Sequence, residues 1–365
     1  MYKFSVNRKI LVDIFKVGGK IVKEGEITPM YNGALFKVKD KKLSIYFISR
    51  KFLLNVHDIE VTSLEEGSVE FGFDSSVLGK LLSASTTENV DFEIKEASIL
   101  VYTDGKYSFN LIDPEDFFSY EVSIDENCKY VFNISYNELV SVLGKLQKFS
   151  IIGNINPADN GILIKKDIIT AHTDDGGVVF PFQLSEDVYV SVEPELYGIL
   201  SQLVLEDLKI FVDENKISIT TSYENKYQFN FAVRVLLGEY KDYYIARIKE
   251  IYFDEESINF TITKGDWDNF YKRMKYFIYD NILIIKNSDT HDNVLMGCKS
   301  GNENVKSSEY KEEFNLAVND KELNNLFSLC DSLTLKFSDK YNDIISIAIK
   351  KDDKIVGMGF LKRFK

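Results

Sequence analysis

Three short stretches of the chain alternate apolar and polar residues in the same way: Phe4-Ser5-Val6-Asn7, Phe132-Asn133-Ile134-Ser135 and Phe260-Thr261-Ile262-Thr263. Two apolar residues spaced by two lie on one face of a strand. Each stretch runs straight into a segment of helical periodicity. The three phenylalanines stand 128 residues apart both times, and an interval that recurs twice predicts tandem copies of one unit. Later segments correspond too. Phe71-Gly72-Phe73, Val190-Ser191-Val192 and Phe314-Asn315-Leu316 each lead into a second helical run, over 74–87, 193–204 and 319–330. Further alternating segments follow, over 92–111, 210–231 and 335–360. Lys106-Tyr107-Ser108-Phe109-Asn110 nearly repeats as Lys226-Tyr227-Gln228-Phe229-Asn230. Each unit therefore reads strand, helix, several strands, helix, several strands. That is an α+β domain with two helices on antiparallel sheet, and the expected domains are 1–127, 128–248 and 249–365.

The first helices show a polar ridge. Asn7 is a plausible N-cap. On a wheel at about 100° per residue, Lys9, Lys16, Lys20 and Lys23 fall within roughly 60° of one another. Ile10, Leu11, Ile14, Val17 and Ile21 take the opposite side. Gly18-Gly19 predicts a helix that stops early, because each glycine costs about 1 kcal/mol against alanine. In the second unit Ser135 and Glu138 form a capping box, with Lys145 and Lys148 off the apolar stripe. In the third, Thr263 and Asp266 repeat the cap, with Lys272 and Lys275 off the stripe.

Composition changes the picture only through charge. The 365 residues include 44 basic and 57 acidic ones, a net charge of −13. Taken whole, that is the wrong sign for a nucleic-acid binder. The six helical segments, however, sum to +4, which leaves −17 for the rest. An acidic protein that keeps a basic helical face can track phosphates without reading bases. The same lysines also suit a merely solvated helix face.

Catalytic chemistry finds little footing. The three histidines, His57, His172 and His291, have no partner at metal-ligand spacing, and no phosphate-loop, dinucleotide or serine-nucleophile motif occurs. Asp174-Asp175-Gly176-Gly177 reads as a turn, and Asp289, His291 and Asp292 as part of a hairpin loop. Cys128, Cys298 and Cys330 lack zinc or disulfide spacing and read as ordinary buried thiols. Neither a catalytic residue, a metal nor a cofactor is expected. No window reaches the ~18 apolar residues of a membrane helix, and residues 1–6 carry no apolar signal core. The expectation is a cytoplasmic protein without a membrane partner.

Three tandem α+β units of this design resemble the bacterial sliding clamp, the β subunit of the replicative DNA polymerase. The resemblance spans the chain and rests on the order and spacing of weak motifs. Pro29 precedes Ala34-Leu35-Phe36-Lys37-Val38, and an aromatic-acidic linker follows Tyr107. Asn160-Gly161 opens a strand, and Ala171-His172-Thr173-Asp174-Asp175-Gly176 matches a turn. Gly238-Glu239-Tyr240-Lys241-Asp242-Tyr243 and Met358-Gly359-Phe360-Leu361-Lys362 match two later motifs.

The resemblance implies a function. Two subunits would join head to tail as a homodimer, a ring of six domains whose helices line a channel for double-stranded DNA. The ring would bind DNA without sequence preference and tether a DNA polymerase for processive synthesis, and a clamp-loader ATPase would open it. The eight lysines above would face DNA. A partner-peptide pocket would involve Thr173, Gly176 and Val178, then Tyr240, Asp242 and Tyr243, and finally Met358, Phe360 and Leu361. Phe109 and Leu111 would meet Tyr276 and Phe277 across the dimer interface. Departures from the family pattern are Gly177-Val178 for its basic residue, Lys241 for its proline, Ala158-Asp159 for its aromatics, and extra residues through Lys365. They fit a divergent, bacteriophage-encoded member. The alternative is a clamp-fold monomer that binds proteins and does not encircle DNA.

Overall fold

The computed structural model describes residues 2–22, 28–63, 67–117, 128–150 and 156–364. The first repeat opens with β1 (Tyr2–Asn7) and α1 (Arg8–Ile21), followed by β2 (Gly33–Lys39), β3 (Lys42–Ile48) and β4 (Phe52–Glu60). The two-residue β5 (Thr62–Ser63) leads to β6 (Val69–Asp74) and α2 (Ser76–Ala84), then β7 (Asn89–Ile94), β8 (Ser98–Tyr102) and β9 (Lys106–Ile112). The second repeat has β10 (Tyr130–Ile134), α3 (Tyr136–Leu146), β11 (Ile162–Lys165), β12 (Ile168–His172) and β13 (Gly176–Pro181). It continues with β14 (Tyr189–Val192), α4 (Leu196–Leu200), β15 (Leu208–Val212), β16 (Lys216–Tyr223) and β17 (Tyr227–Arg234). After α5 (Tyr243–Phe253), the third has β18 (Ile258–Thr263), α6 (Lys264–Met274), β19 (Ile282–Asn287), β20 (Asn293–Cys298) and β21 (Gly301–Lys306). It closes with β22 (Asn315–Asn319), α7 (Asp320–Phe327), β23 (Ser332–Phe337), β24 (Ile344–Lys351) and β25 (Lys354–Lys362). The strand–helix–strands–helix–strands plan thus occurs three times.

Compactness divides the chain into two units, Met1–Ser141 with Glu195–Val235, and Val142–Pro194 with Leu236–Lys365. The first is built on a 13-stranded sheet ordered β10-β15-β16-β17-β4-β3-β2-β6-β9-β8-β7-β1-β5. Its joint between repeats is the antiparallel pair β17–β4, with Phe229 opposite Val56 and Phe231 opposite Leu54. Phenylalanines fill its core: Phe4 stacks on Phe92 at 4.9 Å, and Phe36 meets Phe71 and Phe73 at 5.4 and 5.2 Å. The helix α1 packs against α2 and α4.

The second unit holds an eight-stranded sheet, β14-β11-β12-β13-β25-β24-β23-β18, and a four-stranded one, β21-β20-β19-β22. Its joint is the antiparallel pair β13–β25. In both joints the last strand of one repeat pairs with the third middle strand of the repeat before it. The repeated phenylalanines Phe4, Phe132 and Phe260 are all buried. Paired helices are pinned locally. The Tyr136 hydroxyl donates to the carbonyls of Leu200 and Leu203. Trp267 stacks on Phe327 at 4.7 Å and donates to Asn324 Oδ1.

Several expectations need correction. The helix α1 does not stop at Gly18-Gly19 but runs to Ile21. A Cβ at Gly18 would lie 2.5 Å from the Phe47 ring, so glycine there lets the helix sit on the sheet. The expected run over 193–204 shortens to Leu196–Leu200, because Pro194 disfavours helical backbone at Glu193. The helix α5 was not foreseen. Residue 248, the expected end of the second domain, lies inside it, and Ile248 is buried. Of the cysteines only Cys330 is buried; Cys128 and Cys298 are part-exposed. Asp174 and Asp175 lie in the β12–β13 connection, but Gly176 and Gly177, expected in the same turn, already belong to β13; 289–292 lies in the β19–β20 connection, as the sequence implies.

Candidate nucleic-acid interface

The Asn7 side chain accepts from the amides of Lys9 and Ile10, which fixes the start of α1. Lys9, Lys16 and Lys20 then project from the exposed face, while Leu11, Ile14 and Val17 are buried on the other. Lys23 lies outside the described residues. Asp13 is buried on the same helix, and Lys16 Nζ reaches its Oδ1 at 2.8 Å. Lys9 approaches Glu224 only at 3.9 Å, and both side chains are exposed, so the pair takes little from the ridge's positive field.

The other lysines differ in setting. Lys148 is exposed and donates to Ser328 Oγ at 3.0 Å. Lys145 is half-buried with Nζ 5.2 Å from the Phe180 ring centre, a cation–π contact. Burial, and then the nearby Lys351, push its ammonium below the ordinary lysine pKa. Lys272 and Lys275 are exposed at the end of α6, Lys275 over the Tyr276 ring. Between them Arg273 is bound by Glu303.

The residues expected in the peptide pocket gather around the β13–β25 joint, with Gly176 opposite Leu361 and Gly177 opposite Phe360. They do not share one environment. Val178, Leu361 and Tyr240 are sealed in the core, and Phe360 packs on Tyr244 at 4.6 Å. Met358 is partly buried against the same cluster. The Thr173 hydroxyl accepts from the Gly176 amide and donates to Glu322 Oε1 at 3.0 Å. Burial raises the Glu322 pKa. Asp242 pairs with Lys165 at 2.7 Å, and Tyr243 is 69% exposed. These last two line a cleft of about 520 Å³ with Ile168 and Ile245. The spacing Tyr244, Ile248, Ile251 was the missed signal for α5, since residues four and three apart share a helix face.

Asp159, in the same unit, is fully buried. It accepts from the Lys241 amide at 2.8 Å and from Asn156 Nδ2 at 3.1 Å, with Lys241 Nζ at 3.3 Å. His172 Nε2 lies 3.7 Å from Asp159 Oδ1 without a hydrogen bond, and Nδ1 contacts the Thr173 carbonyl at 3.1 Å. The ring is edge-on to Tyr240 and Tyr244. Burial lowers the His172 pKa below the ordinary value.

Similarity to known proteins lies in the fold. The chain matches no protein-family model and no curated protein sequence. Among solved structures it is similar to DNA polymerase III subunit beta from Pseudomonas aeruginosa, with TM-score 0.83 and 13% identity over 100% of both chains. The Borrelia burgdorferi subunit gives 0.84 and 12%, again over 100% of both chains. The sliding clamp from Bacillus subtilis gives 0.82 and 13%, over 100% of this chain and 99% of that one. The chain has the sliding-clamp fold.

In this clamp fold two strand edges, on β9 and β21, stand where the pattern of the two joints would continue. The β9 edge over 106–110 pairs only with β8, because β6 reaches only Leu111 and Ile112. The strand β21 ends the four-stranded sheet. Phe109 and Leu111 on β9 are part-exposed. Tyr276 and Phe277 after α6 are 69% and 49% exposed, and Tyr279 nearby is 84% exposed. Such aromatic exposure marks a surface suited to burial by a partner.

Proposed function

We propose that the chain is a DNA sliding clamp, a non-catalytic processivity factor that encircles duplex DNA. One observation carries the reading. Both internal joints pair the last strand of a repeat with the third middle strand of the preceding repeat. The same rule applied to the last strand of the first repeat pairs β9 of one subunit with β21 of a second copy. Head-to-tail pairing of two copies would make this joint twice, as a closed two-subunit ring requires. Phe109 and Leu111 against Tyr276 and Phe277 would supply the apolar contact beside that joint.

The rest of the reading follows from this geometry and from the clamp resemblance. Three clamp domains, with the first boundary near 127 and the second at the α5 connection, would carry the helices around the DNA. Lys9, Lys16, Lys20 and Lys148, with Lys272 and Lys275, would offer phosphate contacts that carry no sequence information. Lys145, held over Phe180, would contribute its charge from a distance. The cleft at Asp242 and Tyr243, whose Ile168 and Ile245 belong to one apolar cluster with Tyr240, Met358 and Phe360, would take a partner peptide, and Thr173, Gly176, Val178 and Leu361 would hold the strand joint of the same unit. A DNA polymerase and a clamp-loader ATPase are the partners this role needs, and a cytoplasmic setting suits it. No described helix is long and apolar enough to cross a membrane.

The test is topological. The protein is equilibrated with circular plasmid and closed with an amine cross-linker, for which Lys106 on β9 and Lys306 on β21 are suitable. It should then stay on the circle in high salt and leave when the plasmid is linearised. Cross-linked dimer that leaves the intact circle refutes encirclement.

A further inference from the structure

The lysine ridge of α1 carries a carboxylate of its own. Asp13 stands three residues before Lys16, a spacing that puts both on one side of the helix. The Asp13 side chain is 10% exposed and that of Lys16 51%, with Lys16 Nζ 2.8 Å from Asp13 Oδ1. The second oxygen, Oδ2, accepts from the Tyr223 hydroxyl at 3.0 Å. Tyr223 ends β16 and pairs with Tyr227 across a hairpin turn. In that turn Glu224 and Asn225 both take the left-handed region, at φ 54° and 53°. The turn is tied down as well. The Asn225 amide donates to Glu206 Oε1 at 2.9 Å, and the Ser222 hydroxyl donates to Oε2 of the same carboxylate. A fixed hairpin of the second repeat thus places Tyr223, and Tyr223 orients Asp13 toward Lys16.

A carboxylate held in this way acts on Lys16 twice. It cancels the charge that the ammonium offers at a distance, and it takes up a hydrogen that a phosphate oxygen would otherwise accept. A charge-assisted hydrogen bond of this length is among the stronger ones. Because Asp13 is buried, salt screens the pair less than it screens an exposed one such as Lys9 with Glu224. Tyr223 needs only an acceptor, and an amide oxygen of the same shape would supply one. What the carboxylate adds is its charge, despite the desolvation that burial costs it. Phosphate contacts set both how firmly a protein holds DNA and how steeply salt releases it, and a protein that slides must exchange them freely.

We infer that Asp13 limits the grip of α1 on the phosphodiester backbone by withholding Lys16 from it, an inference that takes its ligand, duplex DNA, from the proposed clamp role. Asp13 is on this account a positioning residue that loosens binding. The test uses the full chain and a short labelled duplex, followed by fluorescence anisotropy from low salt upward. Asp13→Asn keeps an acceptor for Tyr223 and frees Lys16. It should tighten binding at least about threefold at low salt and steepen the log–log salt slope by up to about 0.9, the change for one added phosphate contact. A residue that only supports the fold would not produce tighter binding when replaced. Asp13→Asn with Lys16→Gln removes the pair without changing the net charge, and should leave affinity and slope as in the parent. Far-UV circular dichroism checks the fold of both variants, and the double variant decides the matter if the single one does not fold. Asp13→Asn with the parent's affinity and slope overturns the inference. So does weaker binding by the double variant, since Lys16 would then reach phosphate while paired. Absence of duplex binding in both the parent and Asp13→Asn overturns the DNA-facing ridge as well. A parent that binds, beside an Asp13→Asn variant that binds no tighter, overturns this inference alone.

Discussion

Tyr223 donates its hydroxyl hydrogen to Asp13 Oδ2 at 3.0 Å, while Lys16 holds Oδ1 of the same carboxylate at 2.8 Å. A strand of the second repeat is thereby tied to the lysine-bearing helix of the first. Burial, and then Asp13, push the Tyr223 phenol up to about 12 from its ordinary value near 10. Tyr223→Phe should lower stability by about 1.5–3 kcal/mol, the range for a hydrogen bond to a charged group, in urea unfolding at neutral pH. Because the folded pKa is raised, this contribution is complete below pH 10 and is lost as pH rises toward 12. The alkaline loss should be smaller in Tyr223→Phe, and an identical alkaline limb would contradict the assignment.

Adjacent glycines in α1 should respond oppositely. Gly18→Ala would press a methyl into the Phe47 ring and destabilise by about 1–3 kcal/mol, as overpacking does. A Cβ at Gly19 meets nothing within 4 Å. Gly19→Ala should stabilise by about 0.5–1 kcal/mol through helix propensity. Thermal unfolding of the two variants, with melting points shifted to opposite sides of the parent, checks this.

His172 should set an acid limit on the second unit. Its pKa is lowered by burial, so it is neutral in the fold and takes up a proton more readily when unfolded. Its contribution is present above the ordinary value of 6.5 and is lost as pH falls below it. Asp159 and Asp174 oppose that shift and Lys241 adds to it. His172→Gln should flatten the loss of stability between neutral pH and pH 5, measured by denaturant titration at each pH.

The lysine settings predict unequal effects on DNA. Lys9→Glu with Lys16→Glu should weaken duplex binding at low salt, and the effect should shrink as salt screens it. Lys145→Ala should change DNA affinity far less, because its ammonium sits over Phe180, but should cost stability through the lost contact. Equal losses of affinity in the two cases would contradict the structural distinction.

The repeat was legible because strand alternation and helix caps are local. Phe4, Phe132 and Phe260 mark three buried strand positions, and Asn7 and Thr263 cap the helices that follow them. Gly18 was misread because its benefit is tertiary: propensity penalises it, and only the position of Phe47 shows why it is there. The helix α5 was hidden because its aromatic and acidic opening, Tyr240 to Tyr244, imitates a linker. The pocket residues were drawn to one joint by motif order, but motif order does not distinguish Tyr243, which is exposed, from Tyr240, which is sealed. The β17–β4 joint pairs Phe229 with Val56, and no local pattern brings residues so far apart in the chain together.

The most direct test of the central claim is the native mass in solution across a concentration series, by sedimentation or light scattering. Pairing of β9 with β21 predicts a species of about twice the 42.0 kDa of one chain. It also predicts that Tyr276→Asp with Phe277→Asp shifts that species toward a folded monomer. A monomer that persists at every concentration, with and without circular DNA, would contradict ring closure and leave the protein-binding module as the reading.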